Sequence, residues 1–297
     1  MMLPNIKWLK TDGQYGIFQP AKPYKDSKGE VVQRKLFKNQ IEFNPPHIPT
    51  SITAIPNMLS FFTTRGFFWR PVGVMQVKIK CPNRNCPAPP GSYLNKCGFG
   101  NLARQVCGLN YFYTLLTERL QCVHCMKLRK DTDRSVNKES DNENENQQYR
   151  WHSYSPSILM NLAPAIRSMF PTILCGKRAI DKNVVTLLSD RLNAVSMTKV
   201  QRLVQQGHDE WYTDRRDLYQ TLLYEAHTAS SMPSQQGILG FIKPEGSYTP
   251  PISKTPLPSA RVLRRAYLIM EMERIPVYRA SILSTTGEIL CIDGTRQ

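Results

Sequence analysis

No apolar run in this chain approaches the roughly 18 residues that a membrane-spanning helix needs, so no membrane partner is expected. The opening residues, MMLPNIKWLK, contain no apolar h-region, and no secretory signal is expected either. A reducing compartment follows from that, in which the eight cysteines stay free or bind metal rather than pair. There is no G-x-x-x-x-G-K-S/T phosphate loop, no G-x-S-x-G elbow and no H-E-x-x-H pair. Nucleotide hydrolysis, serine-hydrolase chemistry and zincin chemistry each lack their signature, and a self-contained enzyme is the weakest reading. No internal repeat is visible. Acid is scarce as well: 23 Asp and Glu stand against 39 Lys and Arg, a net charge of +16.

The shortage of acid is local. Residues 61–130 hold eleven Lys or Arg and one acid, Glu118, whereas residues 131–150 hold three basic and six acidic residues. A concentrated basic block attracts polyanions, because each phosphate contact releases condensed counterions. The plainer alternative is a solubilising surface. Nucleic acid is favoured over it because the basic block coincides with a set of cysteines.

What is present divides the 297 residues into six stretches. Residues 1–60, broken by prolines and Lys/Gly turns, read as an extended arm. Residues 61–130 read as a small, basic, zinc-ribbon-like β unit. In GVMQVKIKC, Met75, Val77 and Ile79 alternate with polar residues, as in a strand running into Cys81. YTLLTERLQC reads as a second strand that delivers Cys122. Residues 131–149 are polar and nearly free of apolar side chains, an expected disordered acidic linker. Residues 150–230 read as a helical unit. Ser155 caps a first helix with Pro156 at its start, Asp181 caps a second, Ser196 a third, and a fourth carries Leu218, Leu222 and Leu223. Residues 231–258 are a Pro/Ser-rich linker, and residues 259–297 a helix followed by the strand GEILCID.

Two thiol pairs carry the chemistry: Cys81 and Cys86 in CPNRNC, and Cys122 and Cys125 in CVHC. A structural zinc site takes four soft ligands converging from two short knuckles, and both spacings suit it. Cys97, Cys107 or His124 can substitute for one of the four on sequence grounds. Cys97, Cys107, Cys175 and Cys291 are otherwise read as packing or spare thiols, and His124 as a solvent-facing knuckle residue. Arg70, Lys78, Lys80, Arg84, Lys127, Arg129 and Lys130 are the expected phosphate contacts. The aromatics of FFTTRGFFWRP, which can stack bases beside Arg65 and Arg70, read better as core. The second and third helices have the spacing of a helix-turn-helix, with Lys199, Arg202 and Gln205 off the apolar stripe. Two packed helices with a solvated face remain the commoner explanation of that pattern.

The order of parts resembles a known arrangement. FFWRPVG, a CP-x-x-x-C knuckle, a later C-x-x-C, W-x-x-Y-S-P, MFPTILCGKRAIDKNVVTLL and an H-x-x-x-Y segment from His208 to Tyr212 follow one another. They are similar to an uncharacterised zinc-knuckle domain of transposon-derived eukaryotic proteins that precedes a ribonuclease-H-like transposase core. The resemblance covers roughly residues 55–230 and, more loosely, the C-terminal helix and strand. It implies zinc binding through Cys81, Cys86, Cys122 and Cys125, association with DNA and a nuclear setting. It also implies that Asp293 is the first acidic residue of a core that this chain leaves incomplete.

The reading is an α+β protein: a zinc-ribbon-like unit, a helical unit and the first strand of a truncated ribonuclease-H-like core. It binds zinc and DNA, contacts other protein subunits and is not itself an enzyme. The rival reading is a zinc-plus-helical protein-interaction adaptor without DNA binding.

Overall fold

The N-terminal segment pairs with itself before it meets anything else. In the computed structural model, which describes residues 9, 15–48, 55–100, 103–135, 148–176, 178–187, 196–231 and 249–286, strands β1 (Phe18–Lys25) and β2 (Val31–Phe37) form an antiparallel hairpin. Asp26 closes its turn by accepting the amides of Lys28 and Glu30, and Gly29 completes it at φ +83°, a conformation glycine adopts without steric cost. The two-residue strand β3 (Glu42–Phe43) follows. Leu9, Ile17 and Phe43 then pack with Phe68 and Leu116. The extended arm expected over residues 1–60 is thus docked through apolar burial, and its described part contains a hairpin.

The rest is organised around one long strand. After the short helix α1 (Met58–Phe61) come β4 (Gly66–Trp69), β5 (Asn95–Phe99), β6 (Arg104–Cys107) and β7 (Phe112–Gln121). β7 pairs in parallel with β4 and antiparallel with β6 along its first half. Its second half lies between β5 and β8 (Arg150–His152), both antiparallel to it. A strand paired on both edges and covered on both faces reads as a continuous run of large and β-branched residues, and FYTLLTERLQ is buried at most of its positions. The aromatics Phe61, Phe62, Phe67, Phe68 and Trp69 are all core residues.

Chain beyond residue 150 completes this sheet. β9 (Thr172–Cys175) and β10 (Arg178–Asp181) form a hairpin whose turn includes Gly176 at φ +62°. β10 runs parallel to β6, which gives the strand order β3-β4-β7-β6-β10-β9. The segment expected to be a helical unit therefore contributes three strands, and it shares its sheet with residues 61–130. Its helices are α3 (Pro156–Met160), α4 (Pro164–Ser168), α5 (Lys182–Thr186) and α6 (Met197–Ser231). Asp181 accepts the Asn183 amide and caps α5, and Ser196 Oγ accepts the Lys199 amide at the start of α6. The expected third and fourth helices are one 35-residue helix. Gly207 does not break it, and a Cβ there would meet Asn110 Oδ1 at 2.9 Å, so the glycine admits the loop between β6 and β7.

Two further expectations differ. No strand runs through GVMQVKIKC. Gln76 has φ +54°, a left-handed conformation that ends an extended segment, and Val77 turns back to donate to the Pro71 carbonyl. Ile79 is nonetheless buried and Met75 and Val77 pack on the same core; the alternation reports burial without a strand. Helix α2 (Val123–Ser135) also runs into the tract expected to be a linker. Residues 136–147 of that tract, residues 188–195 of the expected helix-turn-helix and the strand carrying Asp293 lie outside the described residues. The chain's last described helix, α7 (Ala260–Thr286), packs Leu263, Ala266 and Met270 into a core with α5, α6 and β9–β10. No helix among the described residues is long and apolar enough to cross a membrane.

Candidate metal centre

Four sulfurs converge where β7 hands over to α2. Cys122 follows the last residue of β7, and Cys125 lies in the first turn of α2. Cys81 and Cys86 bracket an irregular loop entered from buried Ile79, whose carbonyl accepts the Leu94 amide. The Cys81–Cys125, Cys86–Cys122 and Cys86–Cys125 sulfurs are 3.7, 3.6 and 3.5 Å apart. All four ligand atoms lie within 4.8 Å of one another. A disulfide needs about 2.05 Å, whereas a tetrahedral centre with metal–sulfur bonds near 2.3 Å has edges of about 3.8 Å. The spacing is that of a metal tetrahedron, and the four cysteines can hold one metal ion.

The surroundings suit thiolate ligands. Cys122 and Cys125 are buried in a cluster with Trp69, Leu120 and Trp151. Burial opposes a Cys122 thiolate, but the amides of Cys125 and His124 and the neighbouring thiols outweigh it and lower the pKa. Burial and the other three thiols push Cys81 up, and burial with Cys86 and Cys122 pushes Cys125 up against the pull of Asn83 and Cys81. Thiols this crowded do not ionise together without a cation, and metal binding supplies that charge. Asn83 holds the arrangement from outside: its Nδ2 donates to Cys125 Sγ at 3.3 Å and to the Gln148 carbonyl at 2.7 Å. The Cys122 amide donates to the Tyr149 carbonyl. Asn83→Ala is expected to leave one metal per chain but to lower its affinity about 10–100-fold, measured by competition with a chromophoric chelator. Unchanged affinity would remove Asn83 from this role.

Cys97, Cys107 and Cys175 are free thiols outside the cluster, and His124 supplies no ligand atom to it. Burial raises the pKa of Cys97 and Cys175, and pushes Cys107 up to about 12. Cys291 lies outside the described residues.

The tethered loop and helix bring basic residues together around the centre. Lys78, Lys80 and Arg84 on one side, and Lys127, Arg129 and Lys130 on the other, are all exposed. Arg70 is different, and the structure corrects the expectation for it. It is 6% exposed, donates to the Lys38 carbonyl, and lies over the rings of Phe37 and Phe68 at 4.9 and 5.1 Å. Its charge answers buried Glu118, which accepts the amides of Val72 and Gly73. Both side chains close around Gly73, where a Cβ would meet Glu118 Oε2 at 2.7 Å and Arg70 Nη2 at 2.8 Å. A guanidinium in this position cannot reach phosphate. On α6, Lys199 and Arg202 are exposed, but Gln205 donates to Asp209, which also pairs with Lys254.

A family model for a domain of unknown function (DUF6729) matches residues 22–152 and 145–269. The chain belongs to this family. The two matched segments include all four clustered cysteines and all the strands from β2 to β10. No curated protein and no solved structure matches the chain. Sequence reasoning reached the four DUF6729 cysteines through their spacing, but it missed Asn83, which sits inside the first knuckle with no signal beyond its polarity.

Proposed function

We propose that this DUF6729 chain is a zinc-containing DNA-binding protein, the N-terminal region of a transposase-like, transposon-derived protein that acts in the nucleus. The observation that carries the reading is the coincidence of a four-cysteine centre with six exposed cations on the loop and helix it joins. Zinc is the metal because a closed set of four thiolates is its structural ligand set. Four protein ligands leave no open position for water, so the centre is assigned a folding role and no catalysis. On this reading the loop–helix pair is a ribbon-like knuckle inserted in the larger sheet. Asp293, outside the described residues, is proposed as the first carboxylate of a ribonuclease-H-like core.

Duplex DNA is contacted by Lys78, Lys80, Arg84, Lys127, Arg129 and Lys130, with little sequence preference, because backbone contacts position a protein without reading bases. Converting Lys127, Arg129 and Lys130 to Glu is expected to weaken duplex binding more than tenfold at about 0.1 M salt. The log–log salt slope should flatten by about 0.9 for each phosphate that is no longer neutralised. Titration by fluorescence anisotropy measures both, and unchanged affinity and slope would sink the assignment.

A second reading, a protein-interaction adaptor, draws on α7. Leu268, Met272, Ile275, Tyr278, Ile282 and Leu283 are 47–68% exposed, and every described side chain after Arg274 in that helix is exposed. Salt separates the two readings. Phosphate-driven binding falls steeply as salt rises, and an apolar helical interface does not.

A further inference from the structure

The second half of β7, with β5 and β8, presents a charged face that the metal centre does not use. Register places Arg119 opposite His152 and Gln121 opposite Arg150. Leu120 and Trp151, between them, are buried at 0% and 4% exposure. Alternation then sends Arg119, Gln121, Arg150 and His152 to the other face of the sheet, where Arg150 is exposed and the other three are half-buried. Glu118, the only acid of β7, points inward to Val72 and Gly73. Among the described residues no carboxylate pairs with Arg104, Arg119 or Arg150. Arg119 and Arg150 are diagonal neighbours in this register, about 7–8 Å apart and within reach of one another as long side chains. Cations gathered on one face, with no carboxylate paired to them among the described residues, suit an external anion.

Beside the arginines is a stack of flat groups. The His152 and Tyr154 rings lie 5.2 Å apart and 6° from parallel. The Arg104 guanidinium covers Tyr154 at 4.8 Å from its centroid. Tyr154 is buried, and half-buried His152 and Arg104, which both contact its ring, bring the group to the surface. Burial, with Arg119 and Arg104 nearby, lowers the His152 pKa, so the ring is a neutral stacking surface rather than another cation. Gly100 lets the chain lie against this ring, since a Cβ there would meet His152 Cε1 at 3.0 Å.

We propose that the β5–β7–β8 face binds a single strand of nucleic acid, with phosphates on Arg119 and Arg150 and a base against the His152–Tyr154–Arg104 stack. Cationic sheet faces with flat side chains hold unpaired bases, whose rings are free to stack. A duplex keeps those rings stacked inside it, where a side chain on a sheet face cannot stack on them. The site shares no residue with the basic rim of the metal centre, so it stands or falls separately from the duplex reading.

The full chain is titrated by anisotropy with labelled oligomers of about 12 nucleotides: dT, U and a duplex of equal length. Binding of dT, U or both is expected for the wild type. Arg119→Gln/Arg150→Gln, which alters partly exposed positions, is expected to weaken single-strand binding at least tenfold. The salt slope should fall by about 0.7 for each phosphate, about 1.4 in all, with duplex affinity changed less than twofold. His152→Ala, in protein that retains its metal and its circular dichroism, is expected to lose at least about fivefold for the single strand only. Absence of single-strand binding by the wild type at about 50 mM salt would overturn the proposal. So would equal losses for single strand and duplex in the double arginine variant, or single-strand affinity that neither variant changes.

Discussion

Chelating the metal is expected to lower the melting temperature of this chain by at least about 10 °C, with loss of one metal ion per chain. Cys122→Ser and Cys125→Ser are each expected to have the same effect. The argument is one of scale. A structural thiolate site contributes an apparent ~10–16 kcal/mol in isolated fingers, comparable with the whole 5–15 kcal/mol stability of a typical domain. Even a part of it, at about 2–4 °C per kcal/mol for a chain of this size, moves the transition well outside error. The effect spreads because Cys122 and Cys125 are not peripheral: they are core residues beside Trp69, Leu120 and Trp151, and the loop from Cys81 to Cys86 has no strand pairing of its own. Elemental analysis with thermal unfolding, before and after chelation, is the measurement. A metal-free preparation that melts at the same temperature as one supplied with zinc would defeat the prediction.

Arg70→Met is expected to cost about 1–3 kcal/mol at neutral pH, because it takes a cation away from buried, charged Glu118 and leaves the Lys38 carbonyl without its donor. The loss should shrink on acidification. Burial holds the Glu118 pKa above its usual value, against the opposing pull of the Val72 and Gly73 amides and of Arg70. Between the unfolded value, about 4.3, and the higher folded one, the folded state keeps a proton that the unfolded chain releases. For this group stability therefore falls as pH rises through that window and is regained as pH drops. Removing Arg70 raises the folded pKa further and widens the window upward. The deficit of the variant relative to wild type, read by urea unfolding at pH 7 and pH 5, should be smaller at pH 5; the comparison cancels protonations common to both chains. Arg70→Met/Glu118→Gln should recover much of the loss, since an amide oxygen can still accept from Val72 and Gly73. A single variant as stable as wild type at pH 7, or an equal deficit at both pH values, would refute the argument.

The metal centre was legible before any fold because its signal is local: two thiol pairs at knuckle spacing are uncommon, and a tetrahedral site needs few other coordinates. The caps at Asp181 and Ser196 were legible for the same reason, each being a bond between a side chain and an amide two or three residues on. Aromatic residues in FFTTRGFFWRP identified core by their apolar area alone. Three other features depended on contacts distant in sequence. Thr172–Cys175 and Arg178–Asp181 lie in a segment of helical periodicity and become strands because β6 offers an edge more than 70 residues upstream. Met75, Val77 and Ile79 alternate like a strand, but they have no partner edge and Gln76 turns the chain. Charge was the least legible. Arg70 and Arg129 look alike in a basic block, yet one is enclosed by Lys38, Phe37 and Phe68 and the other is exposed. Residue type and short spacing were enough for the thiol quartet, the caps at Asp181 and Ser196, the α+β character and the basic excess, whereas Ser155 opens its helix without a side-chain bond. Which face of β7 each charge took, Glu118 inward and Arg119 outward, was settled by strand pairing across the chain, because register is chosen there and not by neighbouring residues.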